Sequence, residues 1–149
     1  PRGSIPMTPI LIEGLALFAA RRINFEQILR TRGLHAKRTC LYRSPQDQAK
    51  LYLSGRTTPG PIRTWARAGK SPHNFGHDAS DRRPPASLAA DYAPLIDGRI
   101  NWEPADSWWA AFGHAARQAH LDWGGRWKSR TDRPHVQLPN WRSYTLGTV

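Results

Sequence analysis

Residues 71–81 have the sequence SPHNFGHDASD, and residues 132–135 have the sequence DRPH. Helix-like patterns come before the first stretch and between the two, and strand-like patterns adjoin both. A catalytic zinc ion takes imidazole and carboxylate ligands, typically three from the protein, and keeps one position open to water. Two histidine-bearing segments far apart in the chain therefore suggest a domain in which helices and strands bring them to one point.

Local patterns around these stretches predict an α+β fold, with helices packed against a small, mainly antiparallel sheet. Capping residues, prolines and terminal glycines predict helices over four ranges: 8–22, 24–33, 44–55 and 103–120. Alternating or β-branched patterns predict strands in four places: 38–42, around 76–82, 95–102 and 135–138. Residues 56–72 are rich in Gly, Pro, Thr and Arg, which is typical of a long functional loop.

The amino-acid composition is that of a basic globular protein. The 149 residues carry 22 Lys and Arg against 11 Asp and Glu, a formal net charge of +11. Apolar residues make up 39% and aromatic residues 10%, which excludes a disordered basic tail. The charge favours an anionic partner, and nucleic acid, anionic lipid and bacterial wall or envelope polymers all qualify.

The length suits one domain. Residues 1–6 resemble the remnant of a cleavable expression tag, so residues 7–149 are expected to form a single domain. Cys40 is the only cysteine, which excludes an internal disulfide and a cysteine-rich zinc site. No run of 18 apolar residues and no signal-peptide layout is present, so neither a membrane span nor export by the usual route is expected.

His73 and His135 are candidate metal ligands, and Asp132 is a candidate general base. A carboxylate near the metal that stays unligated can take a proton from the attacking water, and the short turn at Pro134 would hold Asp132 beside His135. The alternative is that these are ordinary surface or core residues, because isolated histidines and the Asp-x-x-His spacing are common by chance.

Five blocks in order along the chain resemble the zinc D-alanyl-D-alanine carboxypeptidase family, and within it the L-alanyl-D-glutamate peptidases of phage endolysins and bacterial wall hydrolases. The resemblance covers roughly residues 38–138. The blocks are RSPQDQAKLY at 43–52, GRTTPG at 55–60, SPHNFG at 71–76, WGGRWKS at 123–129 and DRPH at 132–135.

The resemblance implies a hedgehog/D,D-peptidase-like fold and one zinc ion per chain. His73, an aspartate and His135 would be the ligands, and Asp132 the general base. Arg43 would stabilise the oxyanion of the tetrahedral intermediate, as a fixed cation can. Ser71 matches a substrate-contacting position in the family.

The aspartate ligand is where the chain departs from the family pattern Ser-x-His-x-x-Gly-x-Ala-x-Asp. The Ala and Asp places, five and seven residues after His73, are held by Asp78 and Ser80. One inserted residue after Gly76, absorbed by a β-bulge, would bring Asp81 into the Asp place. Asp81 is therefore the predicted third ligand, Asp78 the second choice and His77 a distant third.

Other side chains are assigned by simpler arguments. Trp65 and Trp127 are expected to line a substrate groove. Gln48 is expected to be structural, Cys40 a small buried hydrophobe on a strand, and Asp91 a turn or cap residue. A cluster of basic residues is expected to attract anionic envelope or the carboxylates of a D-glutamyl wall peptide: Arg56, Arg63, Arg67, Lys70, Arg82 and Arg83.

These observations predict a zinc peptidase that hydrolyses peptidoglycan stem peptides, with the bond between L-alanine and D-glutamate as the predicted site of cleavage. Three alternatives remain open: a D,D-carboxypeptidase of the same family, a basic nucleic-acid-binding module, and a wall-binding relic with a broken zinc site. The predicted partners are peptidoglycan and, secondarily, anionic envelope polymers or lipid, with no nucleic acid and a monomeric chain. A phage endolysin would stay in the host cytoplasm until a holin releases it.

Overall fold

The computed structural model describes residues 8–67, 69–74 and 87–145. Within these ranges the helices are α1 (Pro9–Thr31), α2 (Pro45–Leu53) and α3 (Asp106–Gln118). The strands are β1 (Ala36–Cys40), β2 (Ala89–Ile96), β3 (Arg99–Ile100), β4 (Asp122–Trp123) and β5 (His135–Gln137). The predicted α+β class is confirmed, whereas the predicted tag remnant at 1–6 and the predicted strand at 76–82 lie outside the described residues.

Helix α1 is one continuous helix, so the predicted break at Asn24 is wrong. The apolar side chains of both halves continue along one face, and the Arg22 guanidinium bridges the junction to the Glu26 carboxylate at 3.2 Å. An exposed asparagine inside a helix costs only a few tenths of a kcal/mol, which burial along that face outweighs. The buried residues of α1 are Leu11, Gly14, Leu15, Phe18, Phe25 and Leu29.

The sheet is antiparallel and has the order β1-β2-β5-β4, with the short β3 pairing with β2. Strand β2 lies at its centre and is buried along most of its length. The register between β1 and β2 shifts between Arg38 and Cys40, so β1 contains an irregularity just before the chain leaves the sheet.

The hydrophobic core lies between this sheet and the helices α1 and α3. Tyr92 of β2 belongs to an aromatic cluster, with its ring centroid 5.4 Å from that of Phe25 and 5.9 Å from that of Phe112. Its hydroxyl donates to the Glu26 carboxylate at 2.7 Å. Because neighbouring residues of a strand face opposite sides, Asp91 and Tyr92 must point to opposite faces of the sheet. Among the described residues, no helix combines the length and apolarity needed to cross a bilayer.

Candidate active site

The register of the sheet places three chemically active side chains in one row. Asp91 in the middle of β2 is paired with Cys40 of β1 on one side and with His135 of β5 on the other. Side chains directly opposite one another on neighbouring strands lie close together. The row therefore brings a thiol, a carboxylate and an imidazole together on the face of the sheet away from the core.

His73 reaches the same point from a 3₁₀ turn, Pro72–Asn74, that packs over the strands. The backbone N–H of Arg43 donates to the His73 carbonyl at 2.8 Å, and the N–H of Leu88 donates to the Pro72 carbonyl at 2.9 Å. His73 is buried, and its ring centroid lies 5.2 Å from that of His135. The two predicted histidines therefore converge, although 62 residues separate them in the chain.

Asp91 lies between the two imidazoles. Its Oδ2 is 3.3 Å from Nε2 of His73, and its Oδ1 is 3.0 Å from Nδ1 of His135. Ligand atoms of a tetrahedral zinc ion, each about 2.0–2.1 Å from the metal, are separated by roughly 3.3 Å. Each histidine is thus at ligand spacing from Asp91. Among the described residues, the ligand atoms fall into two close groups that share Asp91, one with Cys40 and His73 and the other with Asp132 and His135.

In each imidazole, the nitrogen that faces away from Asp91 already has a hydrogen-bond partner. Nδ1 of His73 lies 2.8 Å from the Leu41 carbonyl oxygen, which can only accept a hydrogen bond, and Nε2 of His135 lies 2.8 Å from Oε1 of Gln137. Hydrogen bonds of this kind select the tautomer whose remaining nitrogen carries the lone pair. His73 would thus bind a metal through Nε2 and His135 through Nδ1, the atoms that face Asp91.

Electrostatics show how strongly this cluster favours positive charge beside Asp91. Burial disfavours the charged form of His73, but hydrogen bonds to Asp91 and Cys40 outweigh burial and raise the pKa of His73 to about 10. Burial likewise disfavours the charged form of Asp91, but the two imidazoles hold the pKa of that carboxyl well below its usual range. A bound cation would take the place of this proton.

Asp132 stands beside the row, as predicted. Its carboxyl oxygens fall within a group, formed with Asp91 and His135, in which the ligand atoms all lie within 4.8 Å of one another. Desolvation raises the pKa of Asp132 and outweighs the opposing effect of the nearby His135 ring, and the negative charge of Asp91 adds to the rise. This carboxyl group is therefore poised to accept a proton more readily than an ordinary surface aspartate.

The position of Asp132 depends on close approach of two backbone segments at Gly124. The N–H of Asp132 donates to the Gly124 carbonyl at 3.0 Å, and the N–H of His135 donates to the Asp132 carbonyl at 3.3 Å. A Cβ atom on Gly124 would lie 2.3 Å from the Asp132 carbonyl oxygen. Only glycine allows the turn of residues 132–135 to pack in this way.

Replacing Gly124 with alanine is expected to lower the free energy of unfolding by about 1–3 kcal/mol, because the methyl group displaces the Asp132 backbone. Thermal or denaturant unfolding measures the loss. Gly33→Ala is the control, since its φ of +69° is unfavourable for alanine but a methyl group there meets nothing within 4 Å. An unfolding free energy of Gly124→Ala equal to that of the parent would contradict this packing.

Arg43 borders the same row and is held by Gln48. Its Nη1 donates to Oε1 of Gln48 at 2.8 Å, and its Nη2 lies 3.4 Å from Oδ2 of Asp91 and 3.5 Å from Sγ of Cys40. Gln48 is fully buried in α2, and its Nε2 donates to Oγ1 of Thr64 at 3.0 Å and to a backbone carbonyl at 2.6 Å. The predicted structural role of Gln48 is therefore specific: it aims the guanidinium of Arg43.

Gln48→Leu is expected to destabilise the fold by about 2–3 kcal/mol, because it leaves the oxygens of Thr64 and Ala66 without a donor and the Arg43 guanidinium without an acceptor. Gln46→Leu, at an exposed position of the same helix, is the matched control and is expected to change unfolding by less than about 0.5 kcal/mol. Equal unfolding midpoints for the two variants would contradict the role assigned to Gln48.

The row opens into a cleft of about 1070 Å³. Ser71 lines the cleft and accepts a hydrogen bond from the backbone N–H of His73 at 3.2 Å. The ring centroid of Trp127 lies 5.3 Å from that of His135, and Trp65 borders the cleft with 53% of its surface exposed. Both tryptophans thus line the groove, as the sequence predicted.

Two predictions about individual residues are corrected by the structure. Asp91, expected in a turn or at a helix cap, is a central strand residue held between the two histidines. Cys40, expected to be buried, is half-buried at the end of β1 with its Sγ 3.8 Å from Nδ1 of His73. In both cases pairing across the sheet, which a local pattern does not reveal, decides the environment.

The predicted third ligand Asp81, its alternatives Asp78 and His77, and the predicted bulge lie outside the described residues. Ala89 and Asp91 nevertheless have the spacing of the Ala-x-Asp pair in the family pattern, with Asp91 eighteen residues after His73 instead of seven. This Ala-x-Asp spacing is the sequence signal by which Asp91 could have been found if a longer insertion had been allowed. An insertion of eleven residues before the pair, rather than one, accounts for it.

Known proteins resemble the chain in both sequence and structure. Residues 65–138 match the model of a family described as D-alanyl-D-alanine carboxypeptidase. The peptidoglycan L-alanyl-D-glutamate endopeptidase CwlK of Bacillus subtilis is 36% identical over 108 residues, which cover 66% of this chain and 58% of that protein. The chain thus spans less than two thirds of the length of this relative.

Structural similarity extends over nearly the whole chain. The crystal structure of the L-Ala D-Glu endopeptidase ChiX of Serratia marcescens superposes with a TM-score of 0.59 and 21% sequence identity, covering 95% of this chain and 92% of that one. This likeness concerns the fold. The matched family segment contains His73, Asp91, Asp132 and His135, the side chains that converge in the cleft. This segment of the chain is similar to the D-alanyl-D-alanine carboxypeptidase family.

Proposed function

We propose that this protein is a zinc-dependent peptidoglycan peptidase that hydrolyses the amide bond between L-alanine and D-glutamate of the stem peptide. The observation that carries the proposal is the convergence of His73, Asp91 and His135, with the carboxyl group of Asp132 beside them in an open cleft. This set has the composition of a catalytic zinc site, two imidazoles and one carboxylate, with a further carboxylate free for proton transfer.

The proposed metal ligands are Nε2 of His73, a carboxylate oxygen of Asp91 and Nδ1 of His135. Zinc bound there supplies a Lewis acid that polarises the scissile carbonyl and makes water more acidic. Asp91 takes the ligand place that the sequence assigned to Asp81, because it is the carboxylate that the described structure holds between the two histidines. The hydrogen bonds to Leu41 and Gln137 keep both rings oriented for this role.

The protein's own groups then divide the remaining chemistry. The carboxylate of Asp132 takes a proton from the attacking water and returns it to the leaving amine, a role that its raised pKa favours. The guanidinium of Arg43 stabilises negative charge that develops on the carbonyl oxygen, because Gln48 holds it in place before the substrate arrives. Ser71 and Trp127 line the cleft where the peptide would lie.

The choice of scissile bond rests on the relatives. CwlK and ChiX are both named for cleavage between L-alanine and D-glutamate. The family model is described by D-alanyl-D-alanine carboxypeptidase activity, which keeps the D,D-carboxypeptidase as the second candidate. The metal site is compatible with either reaction, so the position of the substrate in the cleft decides between them.

Digestion of defined muropeptides followed by mass spectrometry tests the proposal. Cleavage at L-Ala–D-Glu is expected, whereas release of terminal D-alanine alone would assign the carboxypeptidase. Removing metal with a chelator should abolish hydrolysis, and adding back zinc should restore it. Undiminished hydrolysis after complete metal removal would overturn the zinc assignment, and intact muropeptides with zinc-loaded protein would overturn the function.

The biological setting is a separate proposal. We infer that the enzyme acts on the bacterial wall as a monomer, and the expected residence in a phage-infected host cytoplasm until holin-mediated release stays a prediction. Analytical ultracentrifugation tests the oligomeric state, and fractionation of infected cells tests the location.

A further inference from the structure

One wall of the cleft is a loop that Gln48 attaches to helix α2. The two hydrogen bonds from Nε2 of Gln48 end on Thr64 and Ala66, the residues on either side of Trp65. The indole of Trp65 is half exposed at the rim of the cleft. An exposed tryptophan on a segment held from both sides is a fixed surface that a ligand can contact.

Two arginines pack against Tyr52, and one of them, Arg56, also lies near this indole. The guanidinium of Arg56 lies 3.8 Å from the ring centroid of Tyr52 and 5.5 Å from that of Trp65, and it donates to the backbone carbonyls of Tyr52 and Thr64. Nε of Arg67 donates to the Tyr52 hydroxyl at 3.3 Å. Arg56 is thereby part of the wall, whereas the two terminal nitrogens of Arg67 have no hydrogen-bond partner within residues 8–67, 69–74 and 87–145.

Arg130 approaches the same indole from the opposite wall. Its guanidinium lies 4.5 Å from the ring centroid of Trp65, a cation–π distance, and thus spans the cleft. The backbone of Arg130 has a φ of +55°, in the left-handed region that residues other than glycine adopt uncommonly. A residue kept in such a conformation beside a binding cleft suggests a functional constraint on where its side chain points.

Positive charge is in excess along the cleft. Its acidic lining residues among those described are Asp91 and Asp132, which belong to the catalytic row. In the same part of the chain, no carboxylate lies within salt-bridge distance of Arg67 or Arg130. The basic lining residues are Arg43, Arg63, Arg67, Lys70, Arg130 and Arg142.

We propose that Trp65, Arg67 and Arg130 form a carboxylate-binding subsite that selects stem peptides whose D-glutamate keeps a free α-carboxylate over those in which it is a primary amide. The inference rests on the proposed function and adds a substrate preference to it. Guanidinium groups bind carboxylates through paired, charge-assisted hydrogen bonds, and a neutral amide cannot replace the charge. The anion would also offset the positive charge that Arg56 and Arg130 bring to the indole.

Two synthetic peptides that differ only at this group test the subsite: L-Ala–γ-D-Glu–L-Lys and its D-isoglutamine counterpart. With zinc-loaded protein, kcat/KM for the acid is expected to exceed that for the amide by at least about tenfold. Arg130→Gln and Arg67→Gln should each reduce this ratio, mainly through a higher KM for the acid. Arg117→Gln, an exposed arginine of α3, is the matched control and should leave the ratio unchanged.

Calorimetric titration of the metal-free protein with the same peptides separates the subsite from catalysis. If the protein binds the acid more tightly than the amide and Arg130→Gln loses this difference, the result supports the subsite. It does so even if neither peptide is hydrolysed; in that case only the proposed function fails. Equal kcat/KM and equal affinity for the two peptides would overturn the subsite. The proposed function would still stand, because both peptides are hydrolysed. A preference that survives both Arg67→Gln and Arg130→Gln would also overturn it.

Discussion

Asp132→Asn is expected to lower kcat by about 10²–10⁴-fold on a muropeptide substrate while the protein retains its zinc. The substitution keeps the shape of the side chain but removes the oxygen charge that accepts the proton. The three proposed ligands, His73, Asp91 and His135, remain in place, so metal content should match the parent. Steady-state kinetics and elemental analysis of the same preparation provide the two measurements.

Asp122→Asn is the control for this experiment. Asp122, on β4, also has a pKa raised by partial desolvation of its carboxyl group, but it is absent from the lining of the cleft. The substitution Asp122→Asn should therefore leave kcat within about twofold of the parent. If Asp132→Asn turned over substrate at the parental rate, Asp132 would not be the general base; if it lost the metal, Asp132 would be a ligand instead.

Asp91→Asn should weaken zinc binding by more than about 100-fold and abolish turnover at limiting zinc. Asp91 contacts both imidazoles, so its replacement removes one proposed ligand and the negative charge that both rings face. Competition with a chromophoric chelator measures the affinity, and circular dichroism checks that the variant is folded.

Asp81→Asn and Asp78→Asn are the matched variants, because each removes one carboxylate from the segment to which the sequence first assigned the ligand. Both are expected to bind zinc as tightly as the parent. Loss of zinc in Asp81→Asn together with full binding in Asp91→Asn would return the ligand to residue 81 and would overturn the site proposed here.

Residue-level prediction succeeded where short patterns carry the information. Thr8 and Ser44 each accept a hydrogen bond from a backbone N–H three residues later, so both predicted helix starts are confirmed. Gly33 ends α1 with a φ of +69°, as a terminal glycine should. The predicted break at Asn24 failed because burial along the whole helix outweighed a weak local preference.

In the candidate site, too, short sequence patterns indicated some residues, whereas contacts that depend on the fold were not predicted. His73, His135, Asp132 and Arg43 were proposed from ordered sequence blocks, and the structure brings all four to one cleft. The partner of Arg43 was missed, because Gln48 gives no sign in the sequence that its amide is buried and aimed at a guanidinium five residues earlier.

The two imidazoles and the neighbouring carboxylate of Asp132 could be identified before folding was considered, because each lies in a short block whose spacing survives in any register. The place of Asp91 between the histidines and the contact of Arg130 with Trp65 could be seen only in the folded chain. Those contacts depend on strand register and on loops that approach from opposite walls, and an insertion between His73 and the Ala-x-Asp pair conceals the first of them from a search by spacing.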